Sequence, residues 1–274
     1  MKATVLGSTG FIGTALVARL RHEGYAVETP SRAELSELKG DLGAVFYCIG
    51  MTGNFRLFPH LTIQSQVTLL SELMQRCSFS SLVYLSSTRV YGITEHEKPA
   101  QENQILNVLP SPDSTYDLAK LLGEALCATY PDARMISARL SNVYGAGMSS
   151  NTFLGSVLGS VVRDGEVVIS EEPSSAKDYV SVEDVVTALA TISRDASSGC
   201  YNLASGRVTS HQEIAVRLRE LDFKVEFQPN TLVRKFPPIS VDKLVQLCDF
   251  CPRYLADDLP ALVTSLKLEN GESS

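Results

Sequence analysis

The sequence of 274 residues predicts an α/β protein whose first half forms a doubly wound parallel sheet with helices on both faces. Two observations predict this fold class. Short apolar runs that suit buried strands alternate with segments whose apolar residues recur at helical spacing. In addition, the glycine-rich segment GSTGFIG joins the first strand-like run to the first helix-like run.

The predicted elements follow one another in a regular order. A strand over residues 3–6 precedes a helix over residues 14–21, and the next segments are AVETP, GAVFYCIG, VTLLSELMQRC, LVYLSS, AKLLGEALCAT and MISARLSNVYG. Strands that are separated by helices pair in parallel, and ligands of such sheets bind beyond the carboxyl ends of the strands. The residues that follow each strand are therefore the first candidates for a binding site.

The regular alternation ends after Gly147. Residues 152–163 resemble one helix, DYVSVEDVVTALATI returns to the strand and helix pattern, and short helices with prolines follow from Lys243. This change predicts a smaller, discontinuous second domain. We assign residues 1–147 and 178–206 to the sheet domain, 148–177 and 207–268 to the second domain, and 269–274 to a disordered tail.

The charge and apolar content exclude several classes of partner. The net charge is −7 and no basic run occurs, which argues against nucleic acid or an anionic membrane as the main partner and favours a small molecule. No charged and apolar leader opens the sequence, and no apolar stretch reaches the ~18 residues of a membrane span. We therefore expect a cytoplasmic protein.

The cysteines and histidines predict no metal site. Most of the six cysteines lie in apolar segments, as reduced, buried thiols do. Cys248 and Cys251 have CxxC spacing, but a tetrahedral zinc site needs two further ligands and no second pair accompanies them. The histidines, which are His22, His60, His96 and His211, show no ligand spacing. Packing is the favoured role of the cysteines.

The glycines of GSTGFIG are suited to hold a phosphate group. Without side chains, Gly7, Gly10 and Gly13 let backbone N–H groups approach an anion, and the amino terminus of the following helix attracts negative charge. A plain turn between a strand and a helix also favours glycine. The spacing alone therefore leaves both interpretations open.

A tyrosine and a lysine in DSTYDLAK could form an acid–base pair. Tyr116 and Lys120 stand four residues apart on a predicted helix and so project from one face. A phenol, with an ordinary pKa near ~10, acts as an acid or base near neutral pH only if a positive charge stabilises its phenolate. Ser87, at the end of the strand LVYL, could donate to a substrate oxygen beside that tyrosine. An exposed surface pair is the alternative.

These motifs resemble, in order, those of the extended short-chain dehydrogenases/reductases, the NAD(P)-dependent epimerase/dehydratase family. The matching segments are GSTGFIG, SSTRVYG, YDLAK, RLSNVYGAG, KDYVSVEDV, YNLASG and ISVDKLVQLCDFCPR, which together run through almost the whole chain. The resemblance implies a Rossmann-like doubly wound sheet with a smaller discontinuous C-terminal substrate domain. It also implies a nicotinamide cofactor and a nucleotide-sugar substrate, and it allows a homodimer.

The resemblance also implies roles for individual residues. Ser87, rather than Ser86, is the catalytic hydroxyl, Tyr116 is the acid–base residue, and Lys120 binds ribose and lowers the tyrosine pKa. The implied substrate-binding residues are Ser87, Thr88 and Asn142. The implied cofactor-binding residues are Gly7, Thr9, Gly10, Phe11, Ile12, Gly13, Ser31, Arg32, Cys48, Ile49, Gly50, Tyr116 and Lys120.

The residues after the second strand bear on which dinucleotide is used. NAD-dependent relatives carry an acid at the end of that strand, where it accepts hydrogen bonds from the adenosine ribose, whereas this chain has Ser31 and Arg32. Arg32 could pair with a 2′-phosphate, so the resemblance favours NADP(H) over NAD(H). A solvated Arg32 that binds no ligand is the alternative.

Several positions depart from the family pattern. The segment SRAELSELKGDLGAV is too short for the usual helix and third strand, so the adenine pocket must be built differently. Gln66 stands where the family has asparagine. Lys177 replaces an arginine and cannot form a bidentate fork with a phosphate. Thr88 and Arg89 occupy the place of the Asp-Glu pair of 4,6-dehydratases, which makes dehydration an unfavourable interpretation.

The combined reading is an NADP(H)-dependent oxidoreductase that reduces a keto group of a nucleotide sugar, as a 4-ketoreductase does. The closest alternative is a nucleotide-sugar epimerase that oxidises and re-reduces one substrate on a retained cofactor. A non-catalytic NADP(H) sensor or scaffold is the alternative from another class. The complete set of Ser87, Tyr116 and Lys120 argues against it, because a sensor needs no phenol with a tuned pKa.

Overall fold

A computed structural model describes residues 1–51, 53–93, 98–130, 133–229 and 231–269. The predicted tail therefore lies outside the described residues except for residue 269. The strands are β1 (Lys2–Leu6), β2 (Ala26–Glu28), β3 (Gly40–Asp41), β4 (Ala44–Tyr47), β5 (Cys77–Ser78), β6 (Ser81–Ser87), β7 (Arg134–Leu140), β8 (Asn142–Tyr144), β9 (Glu166–Ile169), β10 (Ala176–Ser181), β11 (Gly199–Leu203), β12 (Val208–Ser210) and β13 (Lys224–Phe227).

The helices alternate with these strands. They are α1 (Phe11–His22), α2 (Pro59–Ile63), α3 (Leu69–Arg76), α4 (Thr115–Ala128), α5 (Phe153–Asp164), α6 (Val182–Asp195), α7 (His211–Glu220), α8 (Asp242–Cys248) and α9 (Leu255–Glu269). A π-helical turn over Gln64–Thr68 joins α2 to α3, and short 3₁₀ turns occupy Thr88–Tyr91 and Pro112–Ser114.

The central sheet confirms the predicted doubly wound fold. Among the described residues, its strands lie in the order β11-β7-β6-β4-β1-β2, and every pairing is parallel. The direction of winding reverses between β1 and β4. The carboxyl ends of these two strands therefore flank the crevice in which sheets of this topology bind their ligands.

Alternate residues of the strands enter two apolar cores, one on each face of the sheet. Ala3 and Val5 of β1 pack with α1 and α6, whereas Leu6 packs on the other face with α3. Phe46 and Tyr47 of β4 divide in the same way. This period of two fixes the register of each strand, because a slip by one residue would exchange the two faces.

The connection between β2 and β4 contains no third strand beside β2 in the part of the chain that the structure describes. Its short strand β3 pairs instead with β5, which leaves β2 at the edge of the central sheet. This arrangement agrees with the prediction that the segment is too short for the usual helix and strand. The pocket next to β2 is consequently open on its outer side.

A separate apolar core lies in the second half of the chain. Side chains of α5, α7 and α9 pack together there, with Leu158, Ile214 and Leu259 fully buried. The strands β9 and β13 pair at its edge, while β8, β10 and β12 form a small sheet that leads back towards the central one. The exact limits assigned above to the two domains stay a prediction.

No helix among the described residues is both long and apolar enough to cross a membrane.

Candidate active site

The glycine turn lies at the carboxyl end of β1 and has no room for side chains. Gly7 has a φ of +83°, and a Cβ on it would lie 3.0 Å from the carbonyl carbon of Cys48. A Cβ on Gly13 would come within 2.1 Å of the Gly7 carbonyl oxygen. Both positions therefore require glycine for the turn and the first turn of α1 to pack closely.

The amino terminus of α1 suits an anionic ligand. Gly10 is its N-cap and makes no side-chain capping bond, so the N–H groups of Phe11, Ile12 and Gly13 begin the helix without a side-chain acceptor. Thr9 lies beside them in the turn. The space left by the absence of side chains at the glycine positions, together with these N–H groups, fits the pyrophosphate of a dinucleotide.

The segment after β2 differs from the sequence prediction. Ser31 and Arg32 were expected at the end of this strand, but β2 ends at Glu28. Pro30 lacks the N–H group that a longer strand would need, and the residue before a proline is also restricted. Ser31 and Arg32 therefore lie beyond the strand, and both are exposed.

Two carboxylates flank this exposed segment. Glu28 points back to Lys2, whose Nζ lies 3.1 Å from Oε1 of Glu28. Glu34 accepts a hydrogen bond of 2.7 Å from the Ser31 backbone N–H. Hydrogen bonding with Ser31 lowers the pKa of Glu34. The side chain of Arg32 has no hydrogen-bond or ion-pair partner within the described ranges, so it is available to a ligand.

A surface pocket beside the glycine turn contains a cation that the sequence analysis missed. Arg21, from the last turn of α1, lines this pocket together with Ser8, Thr14 and Thr29. Helical spacing from Thr14 to Arg21 could have shown that these residues share a face. The sequence does not show that this face of α1 is exposed, because that depends on β2 being the edge strand of the sheet.

The residues after β4 approach Lys120 directly. Cys48 and Ile49 are half-buried, and a Cβ on Gly50 would lie 3.4 Å from Nζ of Lys120. Burial raises the pKa of Cys48 to about 12. The thiol is therefore neutral near pH 7, and this strand end offers backbone rather than a charged side chain.

The three predicted catalytic residues converge at the end of β6. Ser87 is the last residue of that strand, and its Oγ accepts a hydrogen bond of 3.2 Å from the Arg89 backbone N–H. Tyr116 and Lys120 lie on α4, with Nζ of Lys120 5.6 Å from the centre of the Tyr116 ring. Lys120 also donates a 2.7 Å hydrogen bond to the Leu85 carbonyl.

Burial shifts the pKa values of Tyr116 and Lys120 in opposite directions. It raises the pKa of Tyr116 to about 12, while hydrogen bonding with Ser87 acts to lower that pKa. It lowers the pKa of Lys120 to about 7, against the opposing influence of Glu124. The charged forms of both groups are therefore costly in the protein alone, and a ligand that brings charge would alter both.

An aromatic ring covers Tyr116. Phe55, from the segment after β4, lies with its ring centre 5.3 Å from that of Tyr116 and is only 3% exposed. The guanidinium groups of Arg56 and Arg89 lie over the Phe55 ring, at 4.5 Å and 4.9 Å from its centre. Sequence reasoning missed Phe55 and Arg56, because they lie far from Tyr116 along the chain, and it named Arg89 only as a departure from the dehydratase pattern.

One ion pair holds this cover to the segment before α4, and a second joins the turn after β6 to α4 itself. Arg56 pairs with Asp113, and Nε of Arg89 donates to Oδ1 of Asp117 at 2.9 Å. Arg89 also donates to the Asp113 carbonyl at 3.0 Å. The guanidinium of Arg89 is therefore held by oxygen atoms of Asp113 and Asp117.

We call the region between the end of β6, which carries Ser87 and Thr88, and the small sheet that carries Asn142 the cleft. Thr88 follows Ser87 and is half-buried, whereas Asn142 is exposed on β8 and donates to the Asp178 carbonyl at 2.8 Å. Asn142 is paired in register with Tyr179 of β10, which lies two residues after Lys177. The small sheet therefore brings Asn142 and Lys177 to the same region.

Positive charge lines this cleft. Arg234 lies close enough to Asp113 to lower the pKa of that carboxyl, after the larger effects of Arg56 and Arg89. It also lowers the pKa of Lys177, in which burial has the largest effect. Arg234 thus connects charges on the two sides of the cleft, an arrangement that favours an anionic ligand.

The cysteines and histidines have varied surroundings. Cys77 and Cys127 are buried, Cys48, Cys200 and Cys248 are half-buried, and Cys251 is exposed. Cys251 therefore contributes little to packing. His96 lies outside the described residues. Within the described ranges, no group of three or more histidine, cysteine, aspartate or glutamate residues is placed to hold a metal ion.

Comparison with known proteins identifies a family. The sequence model of the NAD dependent epimerase/dehydratase family matches residues 3–204. Over 259 residues the chain is 27% identical to an ADP-L-glycero-D-manno-heptose-6-epimerase of Pseudomonas paraeruginosa, with 79% of this chain and 77% of that protein covered. It is 22% identical over 234 residues to the uncharacterized UDP-glucose epimerase YtcB of Bacillus subtilis, covering 70% and 72% of the two chains.

Solved structures share the fold over nearly the whole length. RMD from Pseudomonas aeruginosa, complexed with NADPH, superposes with a TM-score of 0.85 at 22% identity, covering 98% of this chain and 100% of that one. MoeE5 in complex with UDP-glucose and NAD gives a TM-score of 0.82 at 23% identity and the same coverage. At these identities the likeness establishes the fold.

Proposed function

Because the chain belongs to the NAD dependent epimerase/dehydratase family, we propose that it is an NADP(H)-dependent oxidoreductase that reduces a keto group of a nucleotide sugar. The observation that carries this proposal is the convergence of three groups at one strand end. Ser87 ends β6 and lies close enough to influence the pKa of Tyr116, and Lys120 follows Tyr116 one helical turn later on α4. This is the arrangement that acid–base chemistry on a carbonyl oxygen requires.

The side chains of the site handle the oxygen and the proton of the reaction. A bound nicotinamide dinucleotide supplies the hydride. Tyr116 donates its phenolic proton to the oxygen of the keto group, and the Ser87 hydroxyl donates a hydrogen bond to the same oxygen. The ammonium group of Lys120 stabilises the phenolate that remains. Phe55 excludes water from the ring that carries out this transfer.

Two cations, one on α1 beside the glycine turn and one in the segment after β2, support a preference for NADP(H). Arg32 is exposed and available, and Arg21 lines the neighbouring pocket with Ser8. A 2′-phosphate on the adenosine ribose would pair with either guanidinium. Glu34 is the group that opposes this preference, because its carboxylate could accept a hydrogen bond from an unmodified ribose.

The charge of the cleft supports a nucleotide sugar as the substrate. Arg234 lies close enough to influence both Asp113 and Lys177, and a diphosphate would offset the positive charge of Arg234 and Lys177. Structural relatives were solved with UDP-glucose or UDP-glucuronic acid. Asn142 and Thr88 are the residues that we propose to contact the sugar.

Epimerisation is the second candidate, favoured by the names of the relatives. The two curated relatives described above are called epimerases. Such a reaction would use the same Ser87, Tyr116 and Lys120, first to oxidise and then to re-reduce one substrate.

One assay separates the two candidates. The protein is incubated with NADPH and either a 4-keto nucleotide sugar or an unoxidised nucleotide sugar, while NADPH absorbance and product are followed together. Stoichiometric loss of NADPH with formation of product supports reduction. Conversion of an unoxidised nucleotide sugar into its epimer without net loss of NADPH supports epimerisation. If neither occurs although the dinucleotide binds, the proposal gives way to a non-catalytic sensor.

A further inference from the structure

A group of titratable side chains lies beside the second core, and only one of them, Lys177, has a role in the function proposed above. It consists of Glu171 from the β9–β10 connection, Lys177 and Tyr179 from β10, and His211 from the first turn of α7. We call it the Glu171 cluster. These residues are distant along the chain, and β10 and α7 bring them together.

The Glu171 carboxylate lies between two nitrogen atoms without forming a full hydrogen bond to either. Its Oε1 is 3.6 Å from Nζ of Lys177, and its Oε2 is 3.9 Å from Nε2 of His211. Lys177 and Glu171 are 12% and 19% exposed at their side chains, whereas His211 is fully buried. The Glu171 carboxylate therefore lies between Lys177, at the cleft, and His211, in the core.

The polar atoms of the cluster lack partners. Among the described residues, buried side-chain atoms without a hydrogen bond include Oε2 of Glu171, the Tyr179 hydroxyl and both ring nitrogens of His211. Phe153 stacks on the His211 ring, with centres 4.0 Å apart, and Nζ of Lys177 lies 4.5 Å from the centre of the same Phe153 ring. Buried polar atoms without a hydrogen bond destabilise the protein. A rearrangement in which Glu171 and His211 form a hydrogen bond would therefore be favourable.

The charges around His211 explain why it is neutral in the protein alone. Burial has the largest effect and lowers its pKa to about 4, and Lys177 acts in the same direction, while Glu171 opposes both. Arg234 adds positive charge near Lys177. On α7 itself, Glu213 is paired with Arg207 at 2.8 Å. An anion at Lys177 would remove the repulsion and release Glu171 towards His211.

We propose that the Glu171 cluster couples substrate binding to uptake of a proton. When the diphosphate of a nucleotide sugar pairs with Lys177, the Glu171 carboxylate changes partner from Lys177 to His211, and Nε2 of His211 takes a proton from solvent. This inference rests on the proposed nucleotide-sugar substrate. It assigns Glu171 and His211 as positioning residues that set the pH range in which the substrate binds.

Calorimetry tests the coupling. UDP-glucose, GDP-mannose, ADP-glucose and dTDP-glucose are titrated into the Tyr116→Phe variant, which prevents turnover, in buffers of different ionisation enthalpy. The diphosphate of these probes carries no proton that titrates near neutral pH. For the probe that binds, we expect uptake of about one proton at pH 6. Its affinity should then weaken about tenfold for each unit by which the pH rises between about pH 5 and 7.

Substitution of His211 assigns the proton. His211→Phe, made in the same background, keeps a ring against Phe153 and removes both nitrogens, so uptake and the pH dependence of affinity should disappear. His211→Gln is the second variant, should the first fail to fold. His22→Phe, at an exposed histidine on α1, should leave both unchanged. Lys177→Met should weaken the probe at least tenfold at pH 6.

The outcomes separate the inference from its premise. If a probe binds without proton uptake, or if uptake survives in a folded His211 variant, the coupling is wrong while the proposed substrate class stands. If none of the four probes binds, the proposed substrate class and the coupling are both overturned.

Discussion

The ring of Phe55 covers the ring of Tyr116, with their centres 5.3 Å apart at an interplanar angle of 41°. Arg56 pairs with Asp113 and so ties the segment after β4 to the segment that leads into α4, while Arg89, after β6, pairs with Asp117 of α4 and lies over the Phe55 ring. The cover keeps water from the phenol, and burial raises its pKa to about 12. An apolar residue outside the predicted site thus sets the acidity of the proposed acid.

Opening this cover should change the pH profile. Phe55→Ala admits water to the Tyr116 ring and so lowers its pKa, which moves the basic limb of the kcat/KM profile to lower pH. Phe55→Leu, which keeps an apolar cover, should move the limb less. A basic limb that stays in place in Phe55→Ala, with the protein folded, would show that the cover does not control this pKa.

Removing the phenolic oxygen should abolish most of the activity. Tyr116→Phe keeps the ring against Phe55, so NADPH binding should persist, while the chemical step falls by the ~10² to 10⁴ typical of a lost general acid. Single-turnover measurements with a cognate keto sugar check this. The same substitution at Tyr130, which stacks on Phe79 away from the site, should have no such effect. Turnover near the wild-type rate would refute the assignment of Tyr116.

Lys120 should make stability depend on pH in a defined window. Its pKa in the folded protein is about 7, below the ordinary 10.5. Between these pH values the unfolded chain binds more protons than the folded protein. The free energy of unfolding of the wild type therefore increases as the pH rises through this window, because the cost of burying Lys120 falls. Lys120→Met removes that cost. Its free energy of unfolding relative to wild type should decline between pH 7 and 10.5, by on the order of a few kcal/mol.

Denaturant titrations at several pH values measure this difference. Lys39→Met, at an exposed lysine, is the control and should show no trend with pH. A relative stability of Lys120→Met that is constant with pH would contradict the lowered pKa. In kinetic assays the same variant should raise the basic-side pKa of the rate profile and weaken NADPH binding, because one ammonium group serves both the phenolate and the ribose.

The choice of dinucleotide should depend on Arg32. Losing one charge-assisted contact costs about 1.5 to 3 kcal/mol, so Arg32→Ala should weaken NADPH by roughly ten- to a hundredfold and leave NADH nearly unchanged. Binding isotherms for both dinucleotides measure this. Arg163→Ala, at an exposed arginine of α5, controls for loss of net charge. Equal losses for NADPH and NADH would show that Arg32 does not contact a 2′-phosphate.

The sequence by itself was sufficient to predict the features that depend on residues close together along the chain. The strand and helix alternation follows from side-chain periods of two and 3.6, which is why residues such as Ala3 and Leu6 enter opposite cores as their spacing requires. The glycine turn depends on backbone contacts over a few residues, and Tyr116 and Lys120 share a face because of helical spacing. The ordered motifs also identified the family correctly.

Only the tertiary structure decided which distant side chains meet and how their charges behave. Phe55 reaches Tyr116, and His211 faces Glu171, through packing between segments that no local period relates. A pKa depends on burial and on neighbouring charge, both of which are products of that packing. The sequence prediction also placed Ser31 and Arg32 at the end of β2, whereas the strand ends at Glu28, where its pairing with β1 stops.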